Sequence, residues 1–220
     1  GPGMTTPQPP AEPPSIGVLV SGRGSNLQAI LRAIESGELR ARVALVISSR
    51  RDAPALEIAA AQGVATRVIV PKEYPSRAEA GAAIVAALRA SGVRVVALAG
   101  YKPILDVSVT QAYPRAILNV HPSLLPAFAG GMAPRPQAEA LAAGVKLTGC
   151  TVHFVTADVD AGPIIAQAAV PVLNDDTVES LSARILAEEH RLLPYALGLT
   201  LAGRLSVENG HVIIHEHAQS

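Results

Sequence analysis

Short apolar runs alternate with segments of helical periodicity over the first hundred residues. Strands are predicted for residues 16–20, 43–48, 66–70 and 94–99. Helical patterns lie between these strands, over residues 27–36, 52–63 and 76–91. Because strands and helices alternate with short links, the sequence predicts an α/β protein with a doubly wound, mostly parallel sheet and right-handed crossovers.

The pattern changes after residue 120. A helix is predicted over residues 134–144, bounded by proline and glycine. Two longer strands, 145–155 and 164–172, are expected either to pair at the sheet edge or to extend from it as a hairpin. The C-terminal half therefore predicts an antiparallel extension of the parallel sheet.

A long helix and a terminal hairpin are predicted for the end of the chain. Asp176 and Glu179 fit a capping box at the start of this helix, which should end near Gly203 with a kink at Pro194. The hairpin is expected over residues 205–215, with its turn at Asn209-Gly210. Residues 1–15 are predicted to be a tag remnant and a proline-rich disordered tail, and residues 16–217 a single domain.

Composition narrows the classes of function that the sequence suggests. The 220 residues are 49% hydrophobic and carry no net charge, so no basic stripe suggests nucleic acid, and no apolar run is long enough to span a bilayer. The single cysteine, Cys150, can make no intrachain disulfide, which favours a cytoplasmic protein.

A glycine-rich turn follows the first strand. Gly22 and Gly24 let the main chain approach an anion, and Ser25 and Asn26 lie where a helix begins. A phosphate suits such a site. The alternative is an ordinary tight turn between strand and helix, and the dinucleotide fingerprint is absent because its third glycine is missing.

Asn119 and His121 follow the run 116–118, and strand periodicity places them on the same side. An amide can donate to a developing oxyanion, and a histidine can transfer a proton near neutral pH. Together they suggest acyl or formyl transfer. A strand-end histidine with a purely structural role is the alternative.

Two aspartates could support His121. Asp158 and Asp160 both lie in a turn between strands, and a carboxylate beside the imidazole would favour its protonated form. Spacing does not choose between them, and either could be an ordinary turn residue. His153, inside an apolar strand, is interpreted as structural. No metal site is predicted, since the histidines of the polar C-terminus are interpreted as solvated.

The chain resembles the folate-dependent glycinamide ribonucleotide formyltransferases over about residues 16–205. The resemblance rests on segments 20–28, 98–101, 119–126 and 152–155, and on Asp160-Ala161-Gly162-Pro163-Ile164-Ile165. It implies a Rossmann-like formyltransferase fold, a single catalytic domain, and formyl transfer from 10-formyltetrahydrofolate to glycinamide ribonucleotide in purine biosynthesis. His121, Asn119 and Asp160 take the catalytic roles that the family implies.

The resemblance also implies two sets of ligand-binding residues. The phosphate and ribose of the substrate would be bound by Gly24, Ser25, Asn26, Leu27, Gln28, Leu186 and Glu189. The folate would be bound by Arg77, Tyr101, Lys102, Pro103, Ile104, Leu105, Asn119, Val155, Thr156 and Asp160. The expected partners are these two small molecules, without nucleic acid or membrane, and a homodimer is left open.

The chain departs from the family pattern at two places. Lys102-Pro103 stands where many members have methionine and arginine, and the stretch 129–137 differs from the usual loop near Gln137. Three alternatives are considered. A formyltetrahydrofolate hydrolase should carry an N-terminal regulatory domain, and a methionyl-tRNA formyltransferase a C-terminal RNA-binding domain. A non-catalytic phosphate-binding module would need only the glycine-rich turn.

Overall fold

A computed structural model describes residues 3–4 and 11–220 of the chain. The strands are β1 (Ser15–Val20), β2 (Arg42–Ser48), β3 (Thr66–Val68), β4 (Val95–Ala99), β5 (Ile117–His121), β6 (Leu147–Phe154), β7 (Ile164–Pro171), β8 (Leu205–Glu208) and β9 (His211–Ile214). The helices are α1 (Ser25–Ser36), α2 (Ala55–Ala61), α3 (Arg77–Ala90), α4 (Val107–Ala112), α5 (Arg135–Ala143) and α6 (Val178–Leu201), with a 3₁₀ turn at Pro71–Glu73.

The main sheet has seven strands in the order β3-β2-β1-β4-β5-β6-β7. The strands from β3 to β5 are parallel, whereas β6 runs antiparallel to both β5 and β7. A separate antiparallel pair, β8 and β9, follows α6. The predicted doubly wound, mostly parallel sheet with an antiparallel C-terminal extension is confirmed.

Helices cover both faces of this sheet. Val18 faces a core that includes Ile30 of α1 and Leu193 of α6, whereas the next residue, Leu19, faces a second core with Leu88 of α3. Alternate residues of a strand point to opposite faces, so one short apolar strand supplies both cores. This explains why the strands of the parallel half are apolar throughout, without polar alternation.

Three predicted details were wrong. Helix α6 begins with a capping box of Thr177 and Ser180 and not of Asp176 and Glu179. The Asp176 carboxylate is already bound by the Leu173 N–H and by Arg184. Helix α4 was not predicted because its sequence is rich in β-branched residues, which favour strands. Strand β3 ends at Val68 because the 3₁₀ turn follows it.

Other predictions for the chain ends stay untested. Most of the predicted tail, residues 1–2 and 5–10, lies outside the described residues, and the boundaries of the single domain stay a prediction.

Helix α6 continues across Pro194. Among residues 3–4 and 11–220, no helix has the length and apolar character needed to cross a membrane.

Candidate active site

One buried serine joins the loops that follow β1, β2 and β4. Ser21 Oγ lies 2.5 Å from Ser49 Oγ and accepts a hydrogen bond of 2.9 Å from the Lys102 main-chain N–H. The strand order reverses between β1 and β4. Doubly wound sheets commonly bind ligands outside the carboxyl ends of the strands, where the strand order reverses, so a binding site is expected beside these three loops.

Gly24 shapes the start of α1. It has a φ of 80°, and a Cβ atom added there would lie 2.7 Å from the Ala55 Cβ. The Gln28 N–H bonds to the Gly24 carbonyl oxygen, so the preceding helical N–H groups have no partner within α1. No acidic residue lies in the first turn. The helix N-terminus can therefore bind an anion, as the glycine-rich turn predicted.

A buried carboxyl group lies next to this helix start. Asn26 Nδ2 donates to Glu189 Oε1 at 3.3 Å, and the Asn26 Oδ1 is buried without a partner among the described residues. Burial raises the pKa of Glu189 to about 7, although the hydrogen bond from Asn26 lowers it in part. The unpartnered Asn26 Oδ1 and the Glu189 carboxyl group could both bond to a ligand hydroxyl beside the anion site.

Asp160 lies between two imidazoles. Its Oδ2 is 3.5 Å from His121 Nδ1, and its Oδ1 is 3.7 Å from His153 Nε2. All three side chains are less than a tenth exposed. The structure thus places Asp160 beside His121, whereas Asp158 is exposed. Of the two aspartates that the sequence left open, Asp160 is thus the one beside His121, and its role stays a prediction.

One nitrogen of His121 is already bound. Its Nε2 lies 2.9 Å from the Phe128 carbonyl oxygen, which can only accept, so Nε2 carries a hydrogen. The Nδ1 distance to Asp160 is longer than a normal hydrogen bond. Nδ1 is therefore the ring nitrogen that can meet a ligand.

The loop after β5 is fixed by Thr151, the residue opposite His121 in β6. Its hydroxyl donates to the Ser123 carbonyl oxygen at 2.8 Å and accepts from the Leu125 N–H at 3.1 Å. Gln167 Nε2 donates both to this hydroxyl and to the Leu125 carbonyl oxygen. These bonds, of which the two between Thr151 and the main chain are buried, hold the loop that carries Phe128, the residue bonded to His121.

His153 orients Asn119, the residue directly opposite it in the sheet. Its Nδ1 donates to the Phe154 carbonyl oxygen at 3.0 Å, and burial lowers the pKa of His153. In the neutral ring Nε2 is an acceptor, and Asn119 Nδ2 donates to it at 3.4 Å. The second N–H of the amide is left for a ligand.

The backbone around Asp160 is tightly constrained. Asp160 has a φ of 53°, in the left-handed region, and its Oδ2 accepts from the Gly130 N–H at 2.8 Å. Two residues later, a Cβ atom on Gly162 would lie 1.7 Å from the Phe154 carbonyl oxygen, so only glycine fits. The turn therefore has one conformation, which aims the carboxylate at the two imidazoles.

Comparison with known proteins decides the family. A family model described as formyl transferase matches residues 15–197, which include every side chain of the cluster around Asp160. The chain belongs to the formyl transferase family. The resemblance to the formyltransferases that was inferred from the sequence is confirmed.

Relatives of this formyl transferase are both long and short. The human trifunctional purine biosynthetic protein adenosine-3 is 43% identical over 198 residues, which are 90% of this chain but 19% of that protein. The chain thus spans about a fifth of the length of that relative. The phosphoribosylglycinamide formyltransferase of Haemophilus influenzae is 38% identical over 88% of this chain and 90% of its own length.

Solved structures share the fold of this formyl transferase. Glycinamide ribonucleotide transformylase 1 from Symbiobacterium toebii is 52% identical, with a TM-score of 0.90 over 94% of this chain and 96% of that chain. A formyltetrahydrofolate deformylase from Pseudomonas syringae is 28% identical, with a TM-score of 0.85 over 94% of this chain and 67% of that chain. The same fold therefore accompanies two different activities.

Several large apolar side chains of this formyl transferase are exposed in the loops that follow β4, β5 and β6 and at the start of α4. Ile104 and Val159 are each 57% exposed, and Val107 and Met132 are each 47% exposed. Tyr101, at the start of the first of these loops, is buried, which raises its pKa to about 12. These exposed side chains are available for apolar contact with a ligand.

The other residues predicted to bind folate border this region. Lys102 and Thr156 are exposed, and Pro103, Leu105 and Val155 are half-buried. Arg77 is exposed at the start of α3. Hydrogen bonds from Ser108 lower the pKa of Asp106, and the charge of Arg77 lowers it further. Arg77 therefore lies near the loop that carries Ile104.

The residues predicted to bind phosphate and ribose differ in how far they are exposed to a ligand. The Leu27 side chain is fully buried in the core, so only its main chain can face a ligand. Gln28 is exposed, and its main-chain N–H is already bound within α1. Leu186 is half-buried one helical turn before Glu189, on the same side of α6.

His153 is the site residue that the sequence interpretation missed. It was interpreted as structural because it lies in an apolar strand. The signal that could have found it is pairing, since the antiparallel strand after β5 must place a residue opposite Asn119. The register that selects His153 depends on tertiary structure, which periodicity alone does not give.

Proposed function

We propose that this chain is a phosphoribosylglycinamide formyltransferase of purine biosynthesis. It transfers the formyl group of 10-formyltetrahydrofolate to the amine of N1-(5-phospho-D-ribosyl)glycinamide. Support comes from the family, from the activities for which its relatives are named, and from a candidate anion site and a candidate proton-transfer site on the same edge of the sheet. The folate is a co-substrate, and no metal is assigned.

The observation that carries this proposal is the position of Asp160 between His121 and His153. The amine attacks the formyl carbon and forms a tetrahedral intermediate with a negative oxygen. Asn119 and the protonated Nδ1 of His121 are the donors proposed for that oxygen. One such donor contributes about 10²–10³ in rate, so two directed at one oxygen account for a large share of catalysis.

The proton balance of formyl transfer defines the role that we propose for the Asp160 carboxylate. The attacking amine gains a bond to carbon and loses one proton, while N10 of the folate loses its bond to carbon and gains one. His121 is proposed to donate the proton toward N10, and Asp160 to stabilise the imidazolium and relay the proton released by the amine. The Gly130 N–H holds the carboxylate in place during this exchange.

The two substrates are assigned to different parts of the edge. The phosphate is proposed to bind at the N-terminus of α1, around Gly24 and Ser25, and the ribose hydroxyls to bind Glu189. The pteridine is proposed to lie against the loop that carries Ile104, with Arg77 available to the folate carboxylates. The amine and the formyl carbon then meet at Asn119 and His121.

A formyltetrahydrofolate hydrolase is the second candidate, because the Pseudomonas syringae deformylase has the same fold. The anion site at α1 and the buried pair of Asn26 and Glu189 favour the transferase, since water as acceptor needs neither. The location in the cytoplasm and a homodimer stay predictions.

The test is to incubate the purified protein with 10-formyltetrahydrofolate, with and without glycinamide ribonucleotide, and to follow folate release. Release that requires the ribonucleotide is expected. Equal release without it would support the hydrolase, and no release in either case would leave only a binding function. An Asn119→Ala variant should lose release while it still binds the ribonucleotide.

A further inference from the structure

A cleft of about 880 Å³ lies between α1 and α6 and contains none of the residues assigned to the active site. Its base is made of small side chains from both helices, among them Ala29, Ala33 and Gly198. Binding pockets for small molecules commonly have volumes of about 300–1,000 Å³, so this cleft is large enough for one. We call it the α1–α6 cleft.

The charge of this cleft is strongly biased. The chain as a whole has 18 basic and 18 acidic residues and no net charge. The residues that line the α1–α6 cleft include one acidic side chain, Glu38, against four arginines, Arg32, Arg40, Arg191 and Arg204. Positive charge concentrated in a concave site attracts anions more strongly than the same charges on a convex surface.

The four arginines are not equally engaged. Arg191 forms an ion pair with Glu188 at 2.7 Å. Arg204 Nε donates to the His215 carbonyl oxygen, and Arg40 donates to a main-chain carbonyl, so neither is neutralised by these bonds. Arg32 has no hydrogen-bond or ion-pair partner in the described part of the chain. Three of the four guanidinium groups, those of Arg32, Arg40 and Arg204, therefore have no ion-pair partner among the described residues, and Glu38 is the one carboxylate that lines the cleft with them.

Two further side chains suggest more than a simple anion. His190 Nε2 is buried and has no hydrogen-bond partner among residues 3–4 and 11–220. Burial lowers the pKa of His190, and the charge of Arg32 lowers it further, so the ring is neutral and can bind a polar group. Tyr195, which also lines the α1–α6 cleft, is 51% exposed and presents an aromatic ring.

We propose that the α1–α6 cleft is a second ligand site, which binds a nucleoside phosphate. The phosphates contact Arg32 and Arg204, the base packs against Tyr195, and a polar atom of the ligand bonds to His190. Guanidinium groups suit phosphate because their planar donors match its oxygens. The site is separate from the α1 N-terminus, and this inference does not depend on the proposed function.

ATP is the probe for this site, with binding measured by titration calorimetry. Wild-type protein and an Arg89→Glu control, which changes an exposed arginine on α3, are expected to bind it equally. Arg32→Glu should weaken binding about tenfold or more, since a charge-assisted contact is replaced by repulsion. Saturating glycinamide ribonucleotide should not displace the ATP.

Three results would overturn the proposal: no ATP binding at millimolar concentration, equal binding by Arg32→Glu and wild type, or displacement by the ribonucleotide. Inorganic triphosphate and adenosine are tested separately. We expect weaker binding of triphosphate than of ATP and no binding of adenosine, and adenosine binding as tight as ATP would contradict the role of the arginines. A denaturant-unfolding midpoint close to that of wild type shows that Arg32→Glu is folded, and Arg32→Gln replaces it if not.

Discussion

Glu189 and Asp160 are both buried carboxyl groups at the candidate active site, but their surroundings differ. Within the described part of the chain, Glu189 has one neutral donor, Asn26, and no ion-pair partner, and burial raises its pKa to about 7. Asp160 lies between two imidazoles and accepts a main-chain N–H. Glu189 can therefore hold or release a proton when a ligand arrives, whereas Asp160 is fixed in position beside His121.

This difference indicates that the two ends of the sheet edge are suited to different tasks. The end at α1 has unused polar atoms and suits recognition of a phosphate and hydroxyl groups. The end at β5 and β6 has its polar atoms already oriented by buried hydrogen bonds, which suits catalysis, since oriented dipoles need not reorganise during the reaction. Substitutions at the two ends should therefore fail in different ways.

The largest effect is expected from His121→Ala. Loss of the proton donor and of one oxyanion contact should lower the turnover number by about 10²–10⁴ while binding of glycinamide ribonucleotide persists. Steady-state kinetics and a binding titration measure both quantities, with His211→Ala in the exposed hairpin as control. Turnover near the wild-type value would remove His121 from the mechanism.

Glu189→Gln should change how stability depends on pH. The carboxyl pKa is raised in the folded state, so its favourable contribution is complete below about pH 4.5 and is lost as pH rises through about 7. Between pH 4 and pH 8, the unfolding free energy of the wild type should fall by up to about 3 kcal/mol more than that of Glu189→Gln. Denaturant unfolding at both pH values measures it, and Glu35→Gln is the exposed control. A pH-independent difference between wild type and Glu189→Gln would contradict the raised pKa.

Gly24→Ala should distort the anion site. The backbone at this position is left-handed, which is unfavourable for alanine, and the added Cβ would lie 2.7 Å from the Ala55 Cβ. The variant should therefore lose about 2 kcal/mol of unfolding free energy. Affinity for the ribonucleotide should also fall, measured by titration. Gly37→Ala, at the other end of α1, has a similar φ but nothing within 4 Å and serves as the matched control. Equal losses of affinity in both variants would show that the close approach is unimportant.

The smallest effect is expected from His153→Phe. The ring no longer accepts from Asn119, so the amide loses its fixed orientation, and one hydrogen bond is worth about 1 kcal/mol. Turnover should fall about tenfold with little change in the Michaelis constant for the ribonucleotide. A change in that constant alone would mean that His153 acts on binding and does not orient the catalytic amide.

Much of the fold and part of the candidate site followed from the sequence. Apolar runs and helix caps predicted the parallel half of the sheet, because such signals are local. The pairing of β6 with both β5 and β7 was harder to predict, since strand register depends on contacts distant in the chain. His153 was missed for that reason, and the choice of Asp160 over Asp158 needed the turn that Gly162 permits.

The hydrogen bonds that support the site were also invisible in the sequence. Ser21 joins three loops and Thr151 fixes the loop after β5, but serine and threonine are common and carry no distinctive spacing. Likewise, the α1–α6 cleft combines arginines from distant segments, so no local run of charge predicted it.

The most direct measurement of the role of Asp160 is single-turnover formyl transfer by Asp160→Asn, with the enzyme in excess over 10-formyltetrahydrofolate and with saturating glycinamide ribonucleotide. Asparagine keeps the size of the side chain and removes its charge, and Asp158→Asn is the matched control. A rate at least about 10² below wild type for Asp160→Asn, with Asp158→Asn unchanged, is the expected result. A rate within a few-fold of wild type for Asp160→Asn would contradict the proposal that this carboxylate supports proton transfer through His121.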